Sequence, residues 1–404
     1  MNAALEFRNA RTLLLHAIAP VSCETVSLGQ SNGRILAVDS FARENVPSFD
    51  RSPYDGYALR AEDTSCASPS SPVFLRVLED IPAGSVPTKT ILPGTASKIL
   101  TGAPIPPGAD AVIMRERTTA GKHGITLSAP LKSGDNIIPA GEDVRQGTLL
   151  SSCGQHIDPG LSGSLAAQGI TSLSVYRRPR VALLSTGSEL VEADQQPDFG
   201  QIRNSSRYML ENALHILGCE PVYLGIVKDS LEALHESISQ GLEDCDAVLT
   251  TGGVSVGDYD LTPAAIDKTG AEFLFRGVNL KPGMACAYAV RAGKPIFALS
   301  GNPASAMTNF YALAAPALKK LAGYSAPVPT EFDVTILQNF HKKSPCTRLL
   351  RGSLVPNGSQ LYLSFPQEQG NVVLFSAIGC NAMAIIPAGS GPVPAGSVLK
   401  GFAL

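Results

Sequence analysis

The stretch from about 178 to 325 constrains this chain most, because only there do apolar runs of strand length alternate repeatedly with segments of helical period. Arg180-Val-Ala-Leu-Leu-Ser-Thr186 is an almost unbroken apolar run, the pattern of a strand covered on both faces in a parallel sheet. Asn204 then opens a helix whose Met209, Leu210, Ala213, Leu214 and Leu217 form one stripe, and Gly218 closes it. Residues 221–227, 246–251, 285–290 and 296–300 read as further strands. Residues 230–242, 262–269 and the segment from Pro303 read as helices. Strand and helix in alternation predict a doubly wound α/β domain over 178–327.

The flanks have another texture. A turn recurs as Ile81-Pro-Ala-Gly84, Ile105-Pro-Pro-Gly108, Ile138-Pro-Ala-Gly141, Ile386-Pro-Ala-Gly389 and Val393-Pro-Ala-Gly396. Proline presets φ at the second position of such turns and glycine suits the fourth. Short strands with many corners predict a β-rich region near 45–150 and another over 328–404. A helix is expected over 2–19, and a second from 158 to 168, with Asp158 as cap and Pro159 in the first helical position.

Composition removes several classes of function. Net charge is −3 and no run of lysine or arginine exceeds two residues, so nucleic acid and anionic membrane lack a basic footprint. No apolar stretch approaches the ~20 residues needed to span a bilayer. The N-terminus carries Glu6, Arg8 and Arg11 within its apolar pattern, which reads as an amphipathic helix and predicts a cytoplasmic protein. The eight cysteines are scattered, without metal-ligand or disulfide-framework spacing. Nucleotide-binding glycine motifs of the G-x-G-x-x-G and G-x-x-x-x-G-K-[ST] types are missing, and no Ser-His-Asp signature stands out.

In an open parallel sheet, ligands bind beyond the carboxyl ends of the strands. Three distinctive loops fall there: Ser185-Thr-Gly-Ser-Glu-Leu190, Thr250-Thr-Gly-Gly-Val-Ser-Val-Gly-Asp-Tyr-Asp260 and Leu299-Ser-Gly-Asn-Pro-Ala-Ser-Ala306. Glycine lets backbone N–H groups approach an anion closely, and a helix start adds partial positive charge. Thr186, Gly187, Gly252, Gly253, Ser255 and Gly257 are therefore candidate anion contacts, with Gly301, Asn302 as cap and Pro303. Any one loop alone is an ordinary strand-to-helix turn; three on one sheet edge predict a cradle for phosphate or another oxyanion. Glu189, Asp229, Asp258 and Asp260 accompany these loops, and carboxylates beside an anion site call for a hard cation such as Mg²⁺ between them. Asp229 also fits a capping box with Glu232. Lys281, before Pro282-Gly283, is a further candidate anion contact.

With these loops in hand, the chain resembles the molybdopterin molybdenumtransferase (MoeA-type) family of molybdenum cofactor biosynthesis. The matching stretches are Ser52–Ala58, Thr101–Val112, Gly141–Val144, Ser185–Leu190, Thr251–Asp258, Lys281–Gly283 and Gly301–Pro303. The resemblance implies a multidomain α/β protein in four parts. These are an elongated N-terminal domain from 1–45 and 145–177, an inserted β-rich domain from 46–144, the MogA-like α/β domain from 178–327, and a β-barrel from 328–404. It also implies a homodimer whose cleft lies between subunits, with Asp55, Thr101 and Asp143 of one facing Glu189, Asp229, Asp260 and Lys281 of the other. Arg351 and Ser376 of the barrel would reach the substrate, and Glu189, Asp229 and Asp260 would hold Mg²⁺. The implied reaction is Mg²⁺-dependent insertion of molybdate into adenylylated molybdopterin with release of AMP. Alternatives are a molybdopterin adenylyltransferase and a non-enzymatic, dimeric peptide-binding scaffold of the gephyrin type. Gly277 and Met284 stand where the family often has lysines, with Arg276 as a substitute for the first, which lowers positive charge in the oxyanion pocket, and Ser300 replaces the proline often seen before Gly-Asn-Pro.

Overall fold

The structure is a computed structural model that describes residues 5–255 and 260–404. The expected site residues Gly257 and Asp258 lie outside the described residues. The chain divides into two compact units: Met1–Val38 with Cys153–Asp158 and Ser172–Leu404, and Asp39–Ser152 with Pro159–Thr171.

In the first unit, α1 (Phe7–His16) starts at Glu6, whose carboxylate accepts from the backbone N–H of Arg8 and Asn9 at 2.8 and 3.2 Å. It buries Phe7, Ala10 and Leu14. The α/β domain then runs β1 (Arg180–Thr186), α2 (Ser205–Ile216), β2 (Glu220–Val227), α3 (Leu231–Asp244), β3 (Ala247–Thr251), α4 (Thr262–Lys268), β4 (Glu272–Arg276), β5 (Ala287–Arg291), β6 (Lys294–Leu299) and α5 (Pro303–Asn309). Helix α5 continues through a π-helical turn at Phe310–Ala314 into Ala315–Leu321.

The sheet order is β2-β1-β3-β6-β5-β4. Strands β2, β1, β3 and β6 are parallel, whereas β5 is antiparallel to both neighbours. Successive residues of β1 supply opposite cores. Val181 and Leu183 join α1, α2 and the helical run from α5, while Ala182 and Leu184 join α3 and α4. Covering on both faces explains why β1 and β3 are continuous apolar runs. The chain leaves β1 toward β2 and then crosses to β3 on the other side, which puts a topological switch point between β1 and β3.

The expected doubly wound domain is therefore present, with two differences. Strand β4 went unread because its Glu272-Phe-Leu-Phe-Arg276 run forms a sheet edge with charged ends, and Arg276 lies over the Phe273 ring at 4.0 Å. Strands β5 and β6 form a hairpin, so the parallel pattern stops at β6.

The C-terminal strands β7 (Phe332–Ile336), β8 (Thr347–Asn357), β9 (Gln360–Ser364), β10 (Ala382–Ile386) and β11 (Val398–Ala403) close into the expected barrel in the order β8-β9-β7-β11-β10, with β10 pairing back to β8. Val334, Ile336, Leu350, Leu363, Ala384 and Ile386 fill it.

In the second unit a six-stranded sheet is built around Val73–Ile81 and Thr95–Ile99, over a core of Tyr57, Leu59, Leu75, Ile113, Ile125 and Leu127. The helix expected from Pro159 spans Pro159–Ala167. All eight cysteines are free thiols. No helix among the described residues is long and apolar enough to cross a membrane.

Candidate active site

A cleft of about 740 Å³ opens at the carboxyl ends of β1, β3 and β6, beside the switch point. Each strand ends in one of the three loops singled out from the sequence. Thr186, Gly187 and Glu189 follow β1, Gly252, Gly253 and Ser255 follow β3, and Gly301, Asn302 and Pro303 follow β6. Asp229, after β2, and Asp260 complete the expected residues on the cleft wall.

Close approach of backbone requires glycine at Gly252, and positive φ favours it at Gly187. Gly252 has φ +100°, and a Cβ there would stand 2.2 Å from the backbone oxygen of Thr186. A Cβ on Gly187, at φ +151°, would stand 2.6 Å from the Glu189 carboxylate. The β1 and β3 loops can therefore lie together only with bare backbone at their contact.

Asp229 shows how the loops are fixed. Its Oδ1 accepts from the Thr186 hydroxyl at 2.5 Å and its Oδ2 from the Ser188 backbone N–H at 2.8 Å. The capping role read for it from the sequence belongs instead to Ser230, whose hydroxyl accepts from Ala233 N–H at 3.1 Å at the start of α3. Asn302 holds the cap position of α5, yet its side chain makes no capping hydrogen bond. Its backbone N–H donates to Ser300 Oγ at 3.3 Å.

The charged residues of the cleft are Glu189, Asp229 and Asp260 against one guanidinium, Arg203. The three carboxylates share the cleft but do not converge. No group of three histidine, cysteine, aspartate or glutamate side chains among the described residues is placed to hold a metal ion.

Other expected residues lie elsewhere. Lys281 sits on a short strand, Leu280–Lys281, paired with the start of β8, and is not on the cleft wall. Arg276 is stacked on Phe273 and does not line the cleft, so it does not restore the positive charge missing there, and Met284 is an exposed neutral side chain off the cleft wall.

Arg351 is fully buried in β8 and Ser376 is buried in the turn Leu374–Ala377. The Arg351 Nη2 donates to Ser376 Oγ at 2.9 Å, and burial pushes the guanidinium pKa down. Its Nε and Nη1 have no hydrogen-bond partner.

In the second unit, Asp55 Oδ1 accepts from both the backbone N–H and the hydroxyl of Thr101, each at 2.8 Å. Those two bonds hold its carboxyl below the ordinary aspartate range. The segment before Asp55 threads between two loops. Arg51 and Ile138 exchange backbone bonds at 3.0 and 2.9 Å, and Ser52 pairs with Gly102 and Ala103. The Asp143 N–H donates to Val46 O at 3.0 Å, which fixes its turn on the same segment.

Sequence reading missed two parts of the cleft. One is Ile202, Arg203 and Ser205, brought in where the short strand Ile202–Arg203 pairs with Leu190–Val191. Arg203 Nε donates to the backbone oxygens of Ala193 and Gln195, so the guanidinium also braces the intervening loop. The other is an apolar wall, Val372-Val-Leu-Phe375, from the barrel. Its signal in the sequence is an apolar run after Gly370 that is too short for a core strand and is followed at once by Ser376.

Two family models match the chain: the MoeA N-terminal region (domain I and II) over residues 5–169, and a probable molybdopterin binding domain over residues 182–320. A molybdopterin molybdenumtransferase of Staphylococcus epidermidis is 37% identical over 376 residues, 93% of this chain and 89% of the relative. One of Bacillus subtilis is 36% identical over 371 residues, 91% of this chain and 86% of the relative. The crystal structure of a molybdopterin biosynthesis moeA protein from Pyrococcus horikoshii superimposes with a TM-score of 0.87 at 30% identity, covering 100% of both chains.

Proposed function

Because the chain belongs to the molybdopterin molybdenumtransferase family, a family of enzymes of molybdenum cofactor biosynthesis, we propose that it inserts molybdate into adenylylated molybdopterin with release of AMP. The two dithiolene thiols bind the molybdenum, one molybdate oxygen leaving with their two protons as water, and one water cleaves the phosphoanhydride to give AMP and the pterin phosphate. The observation that carries this reading is the composition of the cleft: three glycine loops together with three carboxylates and one guanidinium. Such a surface suits two anionic reactants accompanied by a cation.

Mg²⁺ fits these residues in a particular way. It keeps several waters and is commonly held by one or two carboxylates together with substrate phosphates, rather than by an all-protein cage. Glu189 and Asp260 would hold it with the substrate phosphates, while both oxygens of Asp229 fix the β1 loop. Bound there, the ion neutralises phosphate charge and polarises the phosphoryl bond.

The protein's own groups position the reactants. The amides after β1, β3 and β6 bind phosphate and molybdate oxygens, and the Asn302 side-chain NH2 on the cleft wall offers a further donor. The two unpaired nitrogens of Arg351 support a role for it toward an oxyanion. Lys281 contributes positive charge from outside the cleft wall. Asp55, Thr101 and Asp143 act from the partner copy of a homodimer, where the Asp55 carboxylate is kept ionised by Thr101.

The test is AMP release from adenylylated molybdopterin. We expect release to require both molybdate and Mg²⁺ and to stop on chelation. Metal-independent release removes the cation from the reading. Formation of adenylylated product from molybdopterin and ATP instead assigns the preceding, adenylyl-transferring step.

A further inference from the structure

The cleft has two chemically unlike halves, and the proposed reaction described so far uses only one. Sharing the cleft with the glycine loops is the wall Val372-Val-Leu-Phe375. Val372 is 69% exposed and Phe375 is 85% exposed. Single exposed apolar side chains are ordinary, but two of this size side by side on the rim of a ligand-sized cleft mark a place where something apolar is covered.

The wall is held rigidly. Ser376 Oγ donates to Val373 O at 2.6 Å and accepts from the buried Arg351. Gln369 exchanges bonds with the Arg351 backbone, accepting from its N–H at 3.1 Å and donating to its carbonyl at 3.0 Å. The turn that carries Phe375 packs beside α5. A turn braced this way presents the Phe375 ring from a fixed backbone, so little backbone freedom is lost when a ligand stacks on it.

We propose that Phe375, with Val372, is the stacking platform for the fused heteroaromatic ring of the phosphorylated substrate, whose phosphate lies on the glycine loops. This inference rests on the functional reading above, which supplies a substrate joining such rings to phosphate. Pterin and adenine share that chemistry, and the wall accepts a flat ring through its π-face rather than through base-specific bonds. The Arg351–Ser376 pair also fixes the turn that carries this platform.

The full-length protein can be titrated calorimetrically with three probes: a phosphorylated pterin, AMP and inorganic phosphate. Phe375 is exposed, so Phe375→Ala leaves the fold intact. It should weaken at least one ring-bearing probe by about ten-fold, and leave inorganic phosphate unchanged. Phe375→Tyr should restore binding. Selective loss of the pterin or of AMP identifies the ring that stacks. Equal affinities of wild type and Phe375→Ala for both ring-bearing probes overturn the platform while leaving the function standing. If wild type binds neither of them, the functional reading falls and the platform falls with it.

Discussion

Asp229 and Glu189 line the same cleft but serve it differently, and substitution separates them. Both oxygens of Asp229 accept bonds from the loop after β1. Asp229→Asn replaces one acceptor by a donor facing either an N–H or a hydroxyl. It should cost about 1–3 kcal/mol of stability, read by denaturant unfolding, together with most of the activity. Glu189 is exposed, so Glu189→Gln should change stability by less than about 0.5 kcal/mol. Its effect should instead be a higher Mg²⁺ concentration for half-maximal AMP release. A third residue shows its role through pH. The Thr101 N–H and hydroxyl stabilise the charged form of Asp55, so its folded pKa lies below the unfolded one. That contribution is complete above the unfolded value and disappears as pH falls through the folded value, a window below about pH 4. Thr101→Val keeps the N–H and removes the hydroxyl, so NMR titration of Asp55 should move upward toward an ordinary aspartate.

Among the elements, the strand pair Leu190–Val191 and Ile202–Arg203 matters most, because it carries Glu189 and Arg203 to the cleft. A polar chain ties it to the α/β core. Glu192 accepts from Tyr223 OH at 2.7 Å and from Arg207 Nη1 at 3.0 Å, and the Arg207 guanidinium lies 3.8 Å over the Tyr223 ring. Asn204 links Tyr223 onward to the buried Ser185, which also accepts from Thr251. Burial and the Glu192 carboxylate both push the Tyr223 pKa up, so the hydroxyl remains a donor. Glu192→Ala should speed hydrogen exchange across 190–203 and lower kcat/KM by up to about 100-fold, the order expected when positioning slips by an ångström. Unchanged exchange would show that the latch is not what holds this pair. None of this chain was legible in the sequence, since its members become neighbours only after β1, β2 and α2 have packed. The strands β1 and β3 were legible, because burial on both faces leaves no polar position to interrupt the run. The barrel wall was not, because Val372–Phe375 resembles a strand fragment until β8 and β10 close around Arg351 and Ser376.

For the whole molecule, the glycine loops were readable at the level of residue type, and the structure brings those described to one sheet edge. The second set, Asp55 and Asp143 with Thr101, belongs to the other compact unit. The proposed dimer turns that into arithmetic. If each working cleft takes Asp55 from one copy and Asp260 from the other, Asp55→Asn and Asp260→Asn are each inactive as pure dimers. In an equal mixture, random exchange makes half the dimers mixed, and each mixed dimer has one intact cleft of its two. The mixture should therefore recover about a quarter of wild-type AMP release, as two-fold symmetry requires. The measurement needs subunit exchange verified independently, for instance by mass spectrometry of differently tagged copies. With exchange complete, a mixture as inactive as its parents would put both acids in a cleft built by a single chain. Recovery near a quarter would fix both the two-fold assembly and the division of the acids between its copies.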